Sequence, residues 1–435
     1  MKIALLSLLL ISLLISSACQ PEQKPTESTP EGEISRYIKS DLARETAPEV
    51  DPDVINALAE DNAAFALAFY NQVQAQHDNL IFSPLSLSLA LSMAMAGAEG
   101  DTQRAMMDTL QFSMPEEEVH PAFNALLLAI EASQGNADES EQEGGFQLSI
   151  ANSIWGQAGY DFKATFLDIL AQNYGSGLYL VDFIGQPEQA RATINQWVAD
   201  ETKEKIKDLL PQGAIDTLTR LVLANAIYFK GAWRYPFEVS NTKEEPFNLL
   251  DGSETLIDMM HLSGSNLPYL KGEGFQAISL PYVSTDFQMT LLVPDVGNFA
   301  AFEEILTPDK LSSLASEMTF KQVNLGLPKF DFNASINANN PLAALGMGEA
   351  FDYDKADFSG ITDADELAIT DVLHKATITV DEEGTEAAAA TAVVIGIRSM
   401  PSDEPITLVI DRPFIFFIEH QPTHAMLFMG RVTQP

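Results

Sequence analysis

Residues 381–401 read DEEGTEAAAATAVVIGIRSMP. A glycine is followed by small uncharged residues, then an apolar patch, then an arginine–serine pair. At period two the segment sorts into two faces. Thr385, Ala387, Ala389, Thr391, Val393 and Ile395 share one face, and none is charged. Glu386, Ala388, Ala390, Ala392, Val394 and Gly396 share the other. No proline interrupts these residues, so each can offer hydrogen bonds to a sheet ladder. Such a strand can enter the middle of a sheet with its charge toward water. The flanks, Glu382 to Thr385 and Arg398 to Pro401, are polar and turn-like. The same composition also suits an alanine-rich surface helix, because alanine is the best helix former. The residues alone leave both readings open.

The chain has 435 residues, 46% hydrophobic, enough for one large core or two ordinary ones. Its 62 acidic and 24 basic residues give a formal charge of −38. A surface so acidic repels nucleic acids and sulfated polysaccharides, so neither is expected as a partner. One cysteine excludes an internal disulfide and any cysteine-built metal site. That cysteine follows Met1-Lys2, an apolar run over Ile3 to Ile15, and Ser16-Ser17-Ala18. The run is short for a membrane span and suits an export signal. Small residues before Cys19 resemble a bacterial lipoprotein signal, although Ser16 stands where that pattern usually has leucine. The resemblance makes 1–18 a signal peptide, Cys19 the lipid attachment point and Gln20 a pointer to the outer membrane. Plain secretion is the alternative. Residues 19–52, rich in Pro, Glu, Ser and Thr, read as a disordered tether.

A folded domain is expected over 53–435. Helices are predicted at Asp53–Gln76, Leu85–Ala98, Thr102–Phe112, Glu117–Ala132, Lys163–Tyr174 and Pro187–Thr202, with Ser83 capping the second ahead of Pro84. That second helix is apolar almost all round, so it should be buried. Strands are predicted at Phe146–Trp155, Leu178–Phe183 and Arg220–Trp233. From Thr255 the pattern becomes mostly β: Ala277–Tyr282, Gln288–Pro294, Gln322–Pro328, Ile369–Val380, Ile406–Ile410, Phe414–Glu419 and Met426–Val432. Helices early and strands late argue for α+β.

Catalytic motifs are lacking: there is no Gly-x-Ser-x-Gly, no His-Glu-x-x-His and no phosphate-cradling glycine loop. His420 and His424 flank Pro422, which predicts a hairpin turn rather than a metal site. No cofactor is expected.

Glu382 to Thr391 resembles the hinge of the serpins, a family of serine protease inhibitors, without a gap. The resemblance extends further. Asn79 to Ser86 is similar to the start of that family's buried second helix, and Leu223 to Trp233 to its central strand. Asp371 to Ala376 is similar to the strand leading into the hinge, and Asp411 to Phe414 to the C-terminal signature. The resemblance implies a serpin-like α+β fold: helices packed on a large mixed central sheet, two smaller sheets, and an exposed reactive loop, here 381–405.

It also implies a function. In the family's inhibitors the cleaved bond follows the seventeenth residue counted from the first hinge glutamate, which here is Arg398. The expected protein is a monomeric suicide inhibitor of a trypsin-like serine protease, cleaved at Arg398–Ser399, with loop insertion into the central sheet. Arginine before the bond suits a pocket whose aspartate pairs with the guanidinium, and Val393, Val394 and Ile395 could add contacts. Ile397–Arg398 is the rival bond. The hinge, Glu382, Glu383, Gly384, Thr385, Glu386, Ala387, Ala388, Ala389, Ala390 and Thr391, is free of bulk and inward charge. Gly384 would supply unusual backbone angles. Ser83, Ser86, Asn225 and His374 match the polar cluster beneath the sheet, and Trp233 the tryptophan where the loop enters. Alternatives are a non-inhibitory scaffold and an inhibitor of papain-like cysteine proteases.

Overall fold

The run Leu221–Ala232 is apolar nearly throughout, and such a strand needs cover on both faces. A computed structural model, which describes residues 35–135, 146–363, 367–385 and 404–435, places it in the middle of a seven-stranded sheet. Sixteen strands occur among the described residues. The first eight are β1 (Arg36–Ile38), β2 (Leu80–Phe82), β3 (Phe146–Gln157), β4 (Leu178–Val181), β5 (Leu221–Ala232), β6 (Lys243–Asn248), β7 (Glu254–Lys271) and β8 (Phe275–Pro281). The rest are β9 (Phe287–Pro294), β10 (Thr319–Pro328), β11 (Phe330–Asn337), β12 (Asp371–Val380), β13 (Gly384–Thr385), β14 (Ile406–Val409), β15 (Phe414–His420) and β16 (Ala425–Val432). The seven-stranded sheet runs β1-β4-β3-β5-β13-β12-β11.

The other strands form one nine-stranded sheet, not two smaller ones. Its path is β14-β10-β7-β8-β9-β15-β16-β2, with β6 on β7. The 18-residue β7 is the cause: residues 254–259 pair β6, residues 259–269 pair β10 and residues 269–271 pair β8, so one strand joins both halves. The hairpin expected around Pro422 is present between β15 and β16.

Nine α-helices occur among the described residues: α1 (Pro52–Val73), α2 (Pro84–Met95), α3 (Gly100–Thr109), α4 (Glu116–Gly135), α5 (Ala164–Tyr174), α6 (Pro187–Glu201), α7 (Phe299–Glu304), α8 (Pro308–Glu317) and α9 (Asn339–Ala344). Six precede residue 202, so the α+β arrangement holds. Helix α2 starts where its sequence dictates: Ser83 Oγ accepts from Ser86 N at 3.1 Å and Pro84 fills the first turn. All twelve of its residues are buried, and it contacts β3, β5 and β16. Helix α6 packs on the opposite side of the central sheet, over a second apolar cluster that includes Trp155, Ile194 and Val198.

The order starts earlier than residue 53. Arg36–Ile38 pairs antiparallel with β4, at the edge of the central sheet. Ser40 Oγ donates to Asp168 Oδ1 at 2.5 Å, Glu45 N to Gln172 O at 2.9 Å, and Arg44 bonds Asn124 and Glu131 of α4. The tether boundary at 52 is therefore corrected. Backbone pairing and isolated polar contacts hold residues 36–51, and these need no apolar periodicity in the sequence. Residues 1–34, with the signal segment and Cys19, lie outside the described residues.

Candidate functional site

Strands β5 and β12 are parallel neighbours from Val222/Asp371 to Ile227/Ala376. Beyond that point they part. Gly384 and Thr385 sit in the gap, antiparallel to both: Thr385 lies opposite Gly231 on one side and Val380 on the other, and Gly384 opposite Ala232. The first inward residue of the hinge is thus already a strand residue. Thr385 is 1% exposed, and its Oγ1 shares a hydrogen bond of 2.8 Å with the Tyr282 hydroxyl.

The residues before it are fastened at several atoms. Glu382 is 5% exposed; its carboxylate accepts from Thr242 Oγ1 at 2.7 Å and pairs with Lys329 Nζ at 2.8 Å. Burial opposes ionisation of Glu382, but Lys329 and Thr242 outweigh it and hold the carboxyl below its ordinary range. Main-chain carbonyls are held too: Trp233 N donates to Glu383 O and Phe237 N to Glu382 O, both at 2.8 Å, and Trp233 Nε1 donates to Asp381 O at 3.0 Å. Asp381 Oδ1 turns back to accept from Glu383 N and Gly384 N. Trp233 stacks on Tyr282, with centroids 4.7 Å apart.

Gly384 is needed for a reason other than backbone freedom. It is not among the residues with positive φ. A Cβ there would lie 2.1 Å from Gly231 O and 2.8 Å from Ala232 Cα. The hinge lies so close to β5 that a side chain cannot fit.

Below the gap the predicted polar residues meet. Asn225 and His374 are register partners across β5 and β12, and Asn225 Oδ1 meets His374 Nδ1. Ser83 N donates to His374 Nε2 at 3.0 Å. A donor on Nε2 requires a lone pair there, so Nδ1 carries the proton and donates to Asn225. The ring is neutral, and burial drives its pKa down to about 3. Asn225 Nδ2 reaches Ser86 O at 2.6 Å and Ser86 Oγ at 2.7 Å. The network thus ties α2 to β5 and β12 at the foot of the opening. Its fifth member, Asn152 on β3, was not predicted; it pairs with Asn225 in register and bonds Ser86 and Asn225.

Sequence reasoning also missed Thr242, Lys329, Tyr282 and Asp381. Trp233 was predicted, and it lies against the hinge. Glu386 to Thr391 and the predicted bond Arg398–Ser399 fall outside the described residues. His420 and His424 are placed differently. His420 is buried against Ser133 and Thr423, while His424 is exposed with a left-handed φ of 56°. Among the described residues no group of three or more His, Cys, Asp or Glu is placed to hold a metal ion.

A family model described as Serpin (serine protease inhibitor) matches residues 60–435. Leukocyte elastase inhibitor of Bos taurus is 38% identical over 366 residues, covering 82% of this chain and 93% of that protein. An uncharacterized serpin-like protein of Thermococcus kodakarensis is 35% identical over 419 residues, 96% of this chain and 93% of the relative. Among solved structures, the thermophilic serpin tengpin in its native state superposes with a TM-score of 0.78 at 28% identity, covering 92% of this chain and 98% of that one. With the family model, the relatives and the fold in agreement, the chain belongs to the serpins, a family of protease inhibitors and not of enzymes.

Proposed function

We propose that this protein is a suicide inhibitor of trypsin-like serine proteases, cleaved at Arg398–Ser399. The protease serine oxygen bonds to the Arg398 carbonyl carbon. The peptide C–N bond breaks, and the Ser399 amine leaves with a proton delivered by the protease's own general acid. The chain ahead of Arg398 then enters the gap between β5 and β12 and carries the ester-linked protease with it. This is the family's mechanism, applied to the residues found here.

One observation carries the reading: Gly384 and Thr385 already occupy the parted sheet, paired with both neighbours. Continuing those two registers gives a specific inserted strand. Ala387 would meet Phe229 and Ile378, and Ala389 would meet Ile227 and Ala376. Thr391 would fall between Asn225 and His374 and would have to part their hydrogen bond. Those six neighbours are all buried. Glu386 would lie on the opposite face, between the partly exposed Lys230 and Thr379. Small residues inward and the one charge outward are what unhindered entry requires. Each inserted residue adds ladder bonds worth about 0.5–1.5 kcal/mol net, so ten or so residues supply on the order of 10 kcal/mol.

Incubation with trypsin tests this. A complex that survives denaturing electrophoresis is expected, with release of a C-terminal fragment starting at Ser399. Cleavage without a covalent complex would instead make the protein a substrate or scaffold, and a complex with papain but not trypsin would move the target class. The resemblance of residues 1–19 to a lipoprotein signal supports a surface or periplasmic setting with lipid on Cys19. Mass spectrometry of the mature N-terminus checks that, and an unmodified Cys19 would leave plain secretion.

A further inference from the structure

Between α6 and β5 the chain crosses the outer face of the central sheet as a strap. Its Ile206 and Leu210 are buried in one apolar cluster with Val222 and Ala224 of β5 and Leu373 of β12, so it covers the seam between those two strands. The Lys205 ammonium lies 5.6 Å from the centre of the Tyr228 ring on β5. Asn195 of α6 holds Leu210 from both sides: Leu210 N donates to its Oδ1 at 2.8 Å, and its Nδ2 donates to Leu210 O at 2.9 Å. On the far side of the seam, Lys375 Nζ of β12 donates to Lys207 O at 2.8 Å. Lys375 lies opposite Ala226, on the second paired rung below the parted mouth.

The strap is also held in an unfavourable backbone. Lys203, Glu204 and Asp208 have φ of 50°, 64° and 53°, three of the five non-glycine residues in the left-handed region among the described residues. Crowding at Cβ disfavours that region for most side chains. A helix end commonly has one such residue, usually glycine; here two follow each other. Local bonds keep them there: Glu204 N donates to Ala199 O at 2.7 Å, and Ile206 N to Thr202 Oγ1 at 3.0 Å. Such strain persists only where the surroundings impose it, and it gathers at segments that switch.

A strand entering between β5 and β12 moves them apart by one strand spacing, about 4.8 Å. The strap is fastened to α6 and β5, so its 2.8 Å bond to Lys375 must then break and Leu373 must leave the shared cluster. We propose that residues 203–210 form an autoinhibitory strap over the seam. Lys375 latches it and slows insertion, while the left-handed backbone at Glu204 is strain that release removes, which hastens insertion. The proposal rests on the inhibitory reading, since the strap matters only if a strand enters beside it. Two opposed residues, neither in contact with a protease, thus set how fast the sheet opens.

A labelled synthetic peptide of residues 386–396, added to the uncleaved full chain, measures that opening without a protease. At saturating peptide the first-order rate of uptake is read by comigration on native gels. Lys375→Met keeps the apolar stem and removes the donor, so uptake should quicken about twofold to tenfold, as loss of one hydrogen bond implies. Glu204→Asn puts a residue that tolerates the left-handed region in place of one that does not, and should slow uptake about threefold or more. Glu204→Gln keeps the strain and loses only the exposed ion pair with Lys207, so it should match the wild type. Unchanged uptake in Lys375→Met or in Glu204→Asn, or a shift of both in the same direction, would overturn the strap while leaving insertion standing; either variant decides alone if the other does not fold. Equal slowing in Glu204→Gln and Glu204→Asn would assign the effect to the ion pair and overturn the strain. A wild-type chain that takes up no peptide would overturn insertion itself, and the strap with it.

Discussion

Glu382 shows how much of the hinge's placement rests on single side chains. It is nearly buried, and only Thr242 and Lys329 reach its carboxylate among the described residues. Lys329→Met leaves that carboxylate with one hydroxyl for company. Lys329 is partly exposed, so solvent screens the pair and the cost sits below that of a fully buried one. The variant should lose about 1–3 kcal/mol of unfolding free energy, read from urea denaturation at neutral pH. An unchanged midpoint would mean that the ion pair does not secure the hinge. The sign with pH follows from the lowered pKa of Glu382: its contribution is present at neutral pH and disappears as the carboxyl protonates in acid. None of this partnership could be read from the chain. Lys329 is 53 residues away and Thr242 140, and only the sheet register brings them together. Ser83 was legible because serine before proline is a local signal. Gly384 was legible as special but for the wrong reason, since close approach to Gly231 is a tertiary fact.

Among elements, the parted strands β5 and β12 make the strongest claim. If the register of Gly384 and Thr385 continues, side chains alternate strictly between core and outer face. Ala389→Arg would then force a guanidinium between Ile227 and Ala376, at a desolvation cost of several kcal/mol. Glu386→Arg would place the same group outward, between the partly exposed Lys230 and Thr379. The first variant should be cleaved by trypsin without a stable complex, and the second should remain an inhibitor. The reverse result, or equal behaviour, would break the register.

The network beneath the gap adds a pH test. Burial drives His374 down to about 3 and His420 to about 4. The unfolded chain accepts those protons near pH 6.5, so the stability given by each neutral ring is full above that value and is lost as pH falls. Asp371 opposes them. Burial raises it to about 6, so its protonated form favours the fold in acid, and that share is lost as pH rises through about 4 to 6. His374→Gln should therefore flatten the fall in stability between pH 6 and 4 by about 1.4 kcal/mol per unit, one proton's worth. Parallel slopes in urea midpoints would show that His374 does protonate in the native state. The strands carrying these groups were visible as apolar runs. Asn152 was not, because its role depends on lying opposite Asn225, and pairing partners leave no trace in a strand's own sequence.

At the scale of the molecule, the proposed mechanism requires the central sheet to gain a strand. The fold class was legible because helices cluster early and apolar strands late, and several separated motifs stand in order. The ordered residues 36–51 were not legible, since a three-residue edge strand and a few polar contacts carry no periodicity. The joining of two smaller sheets through β7 escaped notice for a similar reason: Ser263, Gly264 and Ser265 interrupt its apolar residues, so neither one long strand nor its changing partners shows in its own sequence. What the architecture leaves unfinished is the upper part of the β5–β12 seam: Gly384 and Thr385 fill its mouth, the strands stay parted for a few residues below, and from Ile227 and Ala376 downward they pair directly. Cleavage at Arg398 would let ten or so further residues enter that seam, at on the order of 10 kcal/mol of gained hydrogen bonding. For a domain of this size that corresponds to a rise in melting temperature of about 10–20 °C. Differential scanning calorimetry of intact and trypsin-nicked protein, after removal of the protease, should show that rise. Nicked protein that melts with the intact form, or below it, would mean that the freed segment stays outside the sheet.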